Sequence, residues 1–425
     1  MAPRSDDTRV AARARLTPGL AGMTAGASGT TAPLAPPRRS RFALPHGSLA
    51  WRVFAIQAVV LVLIAAFLAW VAGNVIANIT RLNINTGFSF LSRPAGFEIA
   101  QKLVAFGENA SYFDVFVIAL INTVVLTAIA ILFATLLGFV IGLARLSSNP
   151  LVAGVAAAYV EIVRNVPLLL QLFYWYFAVL RPLPGPRQSL NFFDIAFLNK
   201  RGLFLPYPVF EPGFGVLLAT IAVMVLVGIV LAWMNQRHRM RTGTGLHSVR
   251  AIALLLLIPP LLVAWLTGFP LSWDVPALSG FNFSGGMTVI PEFVAMAIAL
   301  SLYGAAYIAE IVRSGIRAVS AGQIDAARAL GLRSGAISRF VVIPQALRVI
   351  LPPLGTQYIV LLKNSSLAAA IAYPDLMLVF AGTVLNQTGQ PLEVMIVTMA
   401  SYALIGLAIG GAINLLNRRV QLVER

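Results

Sequence analysis

Glu310 and Arg313 stand three residues apart in an otherwise apolar stretch, and Glu161 and Arg164 repeat the spacing. Residues three apart share a helix face, so each acid can meet its base. Lys363 follows Arg348 through mostly apolar residues, and Asn122 and Gln357 are polar groups inside apolar runs. These residues could pair charges or line a polar path. They do not suit covalent catalysis. Cysteine is absent, and the three histidines, His46, His238 and His247, are isolated, so neither a disulfide framework nor a metal centre is expected. A phosphate-cradling loop needs Gly-Lys-Ser/Thr, and none of the three lysines follows a glycine. Any energy source must come from a partner or an ion gradient.

The elements that must hold these groups are set by composition. Of 425 residues, 59% are hydrophobic and 11% charged, against roughly 25% charged in ordinary soluble domains. Residues 53–80, 115–144, 212–236, 251–273 and 394–417 carry no charge at all. Each run covers about 30 Å of hydrocarbon at about 1.5 Å per residue. The chain reads as an all-α, polytopic transmembrane bundle. The net charge of +16 comes mainly from Arg flanking the apolar runs. That pattern marks cytoplasmic loops, and no aromatic-interleaved basic patch argues for nucleic acid.

Residues 1–50 are rich in Ala, Pro, Thr and Arg and are expected to be a disordered cytoplasmic tail; a transit peptide is the alternative. Eight helices are predicted, at about 53–76, 115–144, 158–180, 213–234, 251–268, 293–313, 348–370 and 393–416. Basic residues at their ends place both termini in the cytoplasm. The outer-loop pairs Arg181/Arg187 and Lys200/Arg201 depart from that rule. Segments 181–189, 206–213 and 272–286, rich in Gly and Pro, read as loops. Gly138 and Gly142 form a small-xxx-small pair that predicts close helix packing.

In that orientation DAARALGLRSGAISRFVVIPQ, residues 325–345, lies in the cytoplasm between two apolar helices. Its spacing predicts two short amphipathic helices bent at Gly331, the second carrying Ile337, Phe340 and Val341 on one face and ended by Pro344. Such a face suits a groove on another protein or the inner leaflet, and both readings stay open on physics alone. Lys363 reads as a vestibule group or one snorkelling to an interface. Asn122 and Gln357 read as path-lining or as helix–helix hydrogen-bonding groups. The pairs Glu161/Arg164 and Glu310/Arg313 read as depth-setting interfacial pairs or as a network between two subunits.

Asp325-Ala326-Ala327, then Gly331, then Ile343-Pro344 resembles the EAA loop of ATP-binding-cassette (ABC) importer permeases, with Asp for Glu. YVEIVRNVPLLLQLFYWYF (159–177), AYIAEIVRSGIRAVSAGQIDAARALGL (306–332) and LLKNSSLAAAIAYPDL (361–376) are similar to the polar amino-acid branch of that family. Val166 stands where Thr is common.

The resemblance implies a five-helix permease core. Residues 51–112 would add a first helix and outer loop. The transmembrane domain would be 113–420, with an inserted hairpin at about 183–290 and a coupling loop at about 318–345. It implies that Asp325, Ala326, Ala327, Gly331, Ile337, Phe340, Ile343 and Pro344 dock into a cytoplasmic ABC ATPase dimer. A sister permease, forming a heterodimer, and a periplasmic amino-acid-binding protein are the other implied partners, with a polar or general L-amino acid as substrate. No cofactor is implied, and the site is the bacterial inner membrane. An ion-coupled secondary transporter and a non-transporting scaffold subunit are the alternatives.

Overall fold

A computed structural model describes residues 48–82, 84–102, 109–242 and 249–420. The tail expected to be disordered over 1–50 lies outside them up to residue 47, as do His46 and His247; helix has already begun at Ser48. Helix α1 runs Ser48–Arg81, and up to Asn78 it belongs to a unit of its own; none of its described side chains is buried.

The second unit begins at Ile79. Its scaffold is α2 (Tyr112–Ala144), started by a reciprocal cap. The Asp114 N–H donates to Ser111 Oγ at 3.2 Å, and the Ser111 N–H donates to Asp114 Oδ2 at 2.9 Å. After it α3 (Pro150–Asn165) and α4 (Leu168–Phe173), which runs on as a π-helical turn Tyr174–Leu180, form one apolar segment bent by 103°. The single helix expected at 158–180 is therefore broken. Pro167 has no N–H to give and forces Val166 into extended backbone, φ −96° and ψ 126°.

Small sheets form between Leu180 and Pro291, and the segments 206–213 and 272–286 expected to be loops contribute strands to them. Strands β1 (Leu190–Phe192), β2 (Ala196–Asn199), β3 (Gly202–Leu205) and β4 (Tyr207–Phe210) precede α5 (Phe214–Thr242) and α6 (Val249–Leu266). Strands β5 (Leu271–Asp274), β6 (Ala277–Ser279), β7 (Asn282–Ser284) and β8 (Met287–Val289) follow. The orders are β1-β2-β3-β8, β4-β5 and β6-β7, all antiparallel. The chain remains mostly helical, as expected of an all-α bundle, and these short strands are an addition to it. The strands are only 3–4 residues long and interleaved with Gly and Pro, so they carry little alternation to read.

Strand β8 leads into α7 (Pro291–Arg317), then α8 (Ala321–Ala329), α9 (Ser334–Ile337), α10 (Ile343–Asn364), α11 (Leu385–Thr388) and α12 (Pro391–Val420). Pro344 does not end the second loop helix. A π-helical turn, Ser338–Val342, joins α9 to α10 in one continuous run, and Pro344 sits in the first turn of α10, directly after the π-turn. Pro352 and Pro353 also stay inside α10.

The core lies between α2, α7 and α10. Gly138 and Gly142 let α2 meet α7 closely: a Cβ on Gly138 would fall 2.6 Å from Ile308 Cβ, and one on Gly142 2.9 Å from the Ala309 carbonyl. Leu126, Ala130, Met296, Leu300, Ile308 and Leu361 are fully enclosed there. Among the described residues six helices are long and apolar enough to cross a membrane, seven if α3–α4 counts as one span. The segment expected at 251–268 forms the 18-residue α6, an apolar helix with Pro259 and Pro260 inside it.

Candidate coupling loop and translocation site

Between α7 and α10 the loop stands as two helical pieces around Gly331, whose φ of +76° is the left-handed conformation that favours glycine. Asp325 pairs with Arg328 on the exposed face of α8 at 3.0 Å, and Ala326 is exposed beside it. Ala327 and Ile337 turn inward and are 5% exposed. The shared face expected for Ile337 and Phe340 is therefore split. The residues left outward are Leu330 at 82%, Phe340 at 68% and Ile343 at 51% exposed, with Pro344 half-buried. Leu330 was not among the expected docking residues; it lies directly before the glycine, where the helix end turns its side chain out.

The two expected acid–base pairs fare differently. Glu310 bonds Arg313, Nε to Oε2 at 3.1 Å, and also holds Arg145 at the end of α2. Its carboxylate is thus shared between two guanidinium groups on two helices. Glu161 and Arg164 are both exposed on α3 and form no ion pair. Arg164 lies over the Tyr307 ring instead, 5.0 Å from its centre, a cation–π contact from α3 to α7. The bend after α3 is satisfied from within: the Gln171 side-chain amide donates to the carbonyls of Val163 and Val166, both at 2.9 Å. The Val163 carbonyl would otherwise face the N–H that Pro167 lacks, and Val166 is already in extended backbone at the bend.

A buried segment follows α10. Residues Ser365–Ile371 make a 3-10 helix, and a π-helical turn Met377–Val384 leads into α11. Tyr373, Pro374, Asp375 and Leu376 between them are all buried. This stretch reaches Asn122, ten residues into α2 and so about 15 Å along it at 1.5 Å per residue. Asn122 Nδ2 donates to the carbonyls of Pro374 and Gln101 at 2.9 Å each. The Leu376 N–H donates to Thr123 Oγ1 at 2.9 Å, and Asp375 Oδ1 accepts from the Leu378 N–H at 2.8 Å. Irregular backbone at membrane depth survives only when enclosed by protein and bonded in this way. Asn122, fully buried, joins these segments here.

Gln357 is also buried, at 8% exposed. Lys363 is exposed and lines a cavity of about 680 Å³ with Ser366, Met377, Thr398, Met399 and Tyr402. Of the three expected path residues, only Lys363 reaches open space there. Sequence reasoning missed Tyr402 and Thr398, which lie in the charge-free run of α12 and signal there only as isolated hydroxyls.

Residues 224–422 match the family described as "Binding-protein-dependent transport system inner membrane component". The chain is 48% identical to the putative amino-acid ABC transporter permease protein YhdX of Escherichia coli (strain K12), over 88% of this chain and 95% of that protein. It is 42% identical to the general L-amino acid transport system permease protein AapQ of Rhizobium johnstonii, over 87% of this chain and 92% of that protein. A solved amino acid ABC transporter with histidines aligns at 26% identity and a TM-score of 0.43, covering 72% of this chain and 95% of that one. The chain belongs to the amino-acid ABC transporter permeases, the membrane-embedded components of binding-protein-dependent transport systems.

Proposed function

We propose that this permease moves polar or general L-amino acids across the bacterial inner membrane, with the loop at Asp325–Pro344 seated in a cleft of a cytoplasmic ATPase dimer. As an ABC permease it works with an ATPase and a solute-binding protein and is a transport subunit, not an enzyme. The substrate class follows the names of its relatives, one of them a general L-amino acid system. A sister permease completes a heterodimer, with the Arg145–Glu310–Arg313 cluster near the loop as its inner-end charge network and Glu161 and Arg164 facing outward from α3. The first helix with its outer loop, 51–112, and the hairpin at about 183–290 are additions to a core within 113–420.

The observation that carries this reading is the loop itself. Leu330, Phe340 and Ile343 are large apolar side chains left in the open on an otherwise polar, Arg-spotted segment. They are mounted on helices continuous with or close to α7 and α10, so a displacement of the loop is carried into the bundle. Exposed apolar groups on a rigid mount fit a protein cleft. Lys363 supplies a cation to the cavity beside Ser366 and Tyr402, suited to the carboxylate of a zwitterion.

Gly331→Pro tests the reading. Proline cannot adopt φ +76°, so the bend should be lost while the spans, distant from it, still insert. The expected result is full membrane insertion with uptake abolished. Normal uptake by this variant would remove the docking assignment.

A further inference from the structure

Resting on the binding-protein-dependent reading above, we propose that the β1–β2 hairpin is a docking finger for the solute-binding protein, with Phe193 as its tip. Phe193 is 92% exposed. Its φ is +56°, and that of Asp194 is +58°. A bulky side chain in the left-handed region costs about 1–2 kcal/mol relative to glycine. The ring itself gains no packing in return, because it is held in the open.

The geometry is nevertheless locked. Register pairs Phe192 with Ala196, leaving a three-residue loop Phe193–Asp194–Ile195. The Asp194 N–H donates to Asn191 Oδ1 at 2.8 Å, and the Asn191 amide donates back to the Asp194 carboxylate. The Ile195 N–H closes the turn on the Phe192 carbonyl at 3.2 Å. Strain maintained at an exposed tip, on a hairpin with its own clasp, points to recognition.

The hairpin stands on a firm base. In the order β1-β2-β3-β8 it is the outer edge, and β8 runs directly into α7. Phe204 is 2% exposed, and Phe283 lies on Phe197 and Phe204 at 4.6 and 4.8 Å between ring centres. A second tip, Phe281, is 74% exposed and carries Arg187 over its ring at 4.5 Å. Arg201 Nη1 donates to the Phe281 carbonyl at 3.2 Å.

Two observations select a protein over a bilayer as occupant. The apex couples Phe193 to the Asp194 carboxylate, so sinking the ring into hydrocarbon would drag an anion with it. Residues 181–201 hold four basic groups against one acid, on the side where the positive-inside rule expects few. An outer-side partner with an apolar pocket and an acidic rim fits both tip and flank.

Because Phe193→Gly and Phe193→Asn remove the ring and relieve the backbone together, a folding defect cannot mimic lost docking. In the full transporter reconstituted in nanodiscs, the binding-protein concentration for half-maximal stimulation of ATP hydrolysis should rise about tenfold or more. Basal hydrolysis should be unchanged and the unfolding midpoint equal or higher. An unchanged half-maximal concentration would overturn the proposal. The chain has no native cysteine, so Phe193→Cys can carry a single fluorophore. Its emission should respond to the binding protein and not to a lipid-borne quencher; quenching by lipid would overturn the proposal in favour of a membrane anchor. Wild-type transport that needs no binding protein would overturn the importer reading itself, before any variant is made.

Discussion

Asn122 and Pro374 are joined across 252 residues of chain by a hydrogen bond of 2.9 Å from side-chain amide to backbone carbonyl. The same amide also bonds the Gln101 carbonyl. One buried side chain thus ties α2 to the segment before it and to the irregular stretch after α10.

Asn122→Ala should therefore strand two buried carbonyls. The expected loss is about 1–3 kcal/mol, the lower end being the norm between membrane helices. Thermal unfolding of the detergent-solubilised transporter checks it, with Asn122→Ala melting earlier than wild type.

Gln171→Leu should loosen the bend between α3 and α4. It removes both donors to the Val163 and Val166 carbonyls while preserving bulk. About 1–2 kcal/mol of stability is expected to go, together with faster proteolysis at 165–168. Limited proteolysis in membranes measures this; an unchanged cleavage rate would show that water alone satisfies the break.

Lys363→Met should leave folding intact, because the side chain is exposed to the cavity and has no ion pair. Uptake should weaken tenfold or more in apparent KM, as a charge-assisted contact worth about 1.5–3 kcal/mol is lost. Radiolabelled amino-acid uptake into proteoliposomes checks it. Equal uptake kinetics would return Lys363 to the role of a snorkelling interfacial residue.

Much of this architecture is written in the apolar runs. Charge-free segments such as 115–144 and 394–417 become α2 and α12, because hydrocarbon leaves the backbone no alternative to helix. The loop spacing around Gly331 was equally readable, since a positive φ there demands glycine. Three features were not. Pro167 breaks a span without any gap in hydropathy, and only Gln171 hints at how the break is tolerated. The stretch 365–388 is largely apolar, yet its centre, Tyr373–Leu376, is irregular backbone buried in protein, a distinction that hydropathy cannot draw. Glu310 was matched with its helix neighbour Arg313, but Arg145, its second partner, is 165 residues away. Pairing across that distance is a product of the α2–α7 packing, not of local spacing.

The central claim is that the outward apolar side chains of the loop occupy a cleft on the ATPase. The absence of native cysteine permits a direct measurement. Leu330→Cys and Phe340→Cys, at positions 82% and 68% exposed, would be crosslinked in membranes containing a cysteine-substituted ATPase. The account predicts a permease–ATPase product at both positions, with its yield changing when ATP is added. Crosslinking to lipid headgroups at both positions, with no ATPase product under any nucleotide condition, would contradict it.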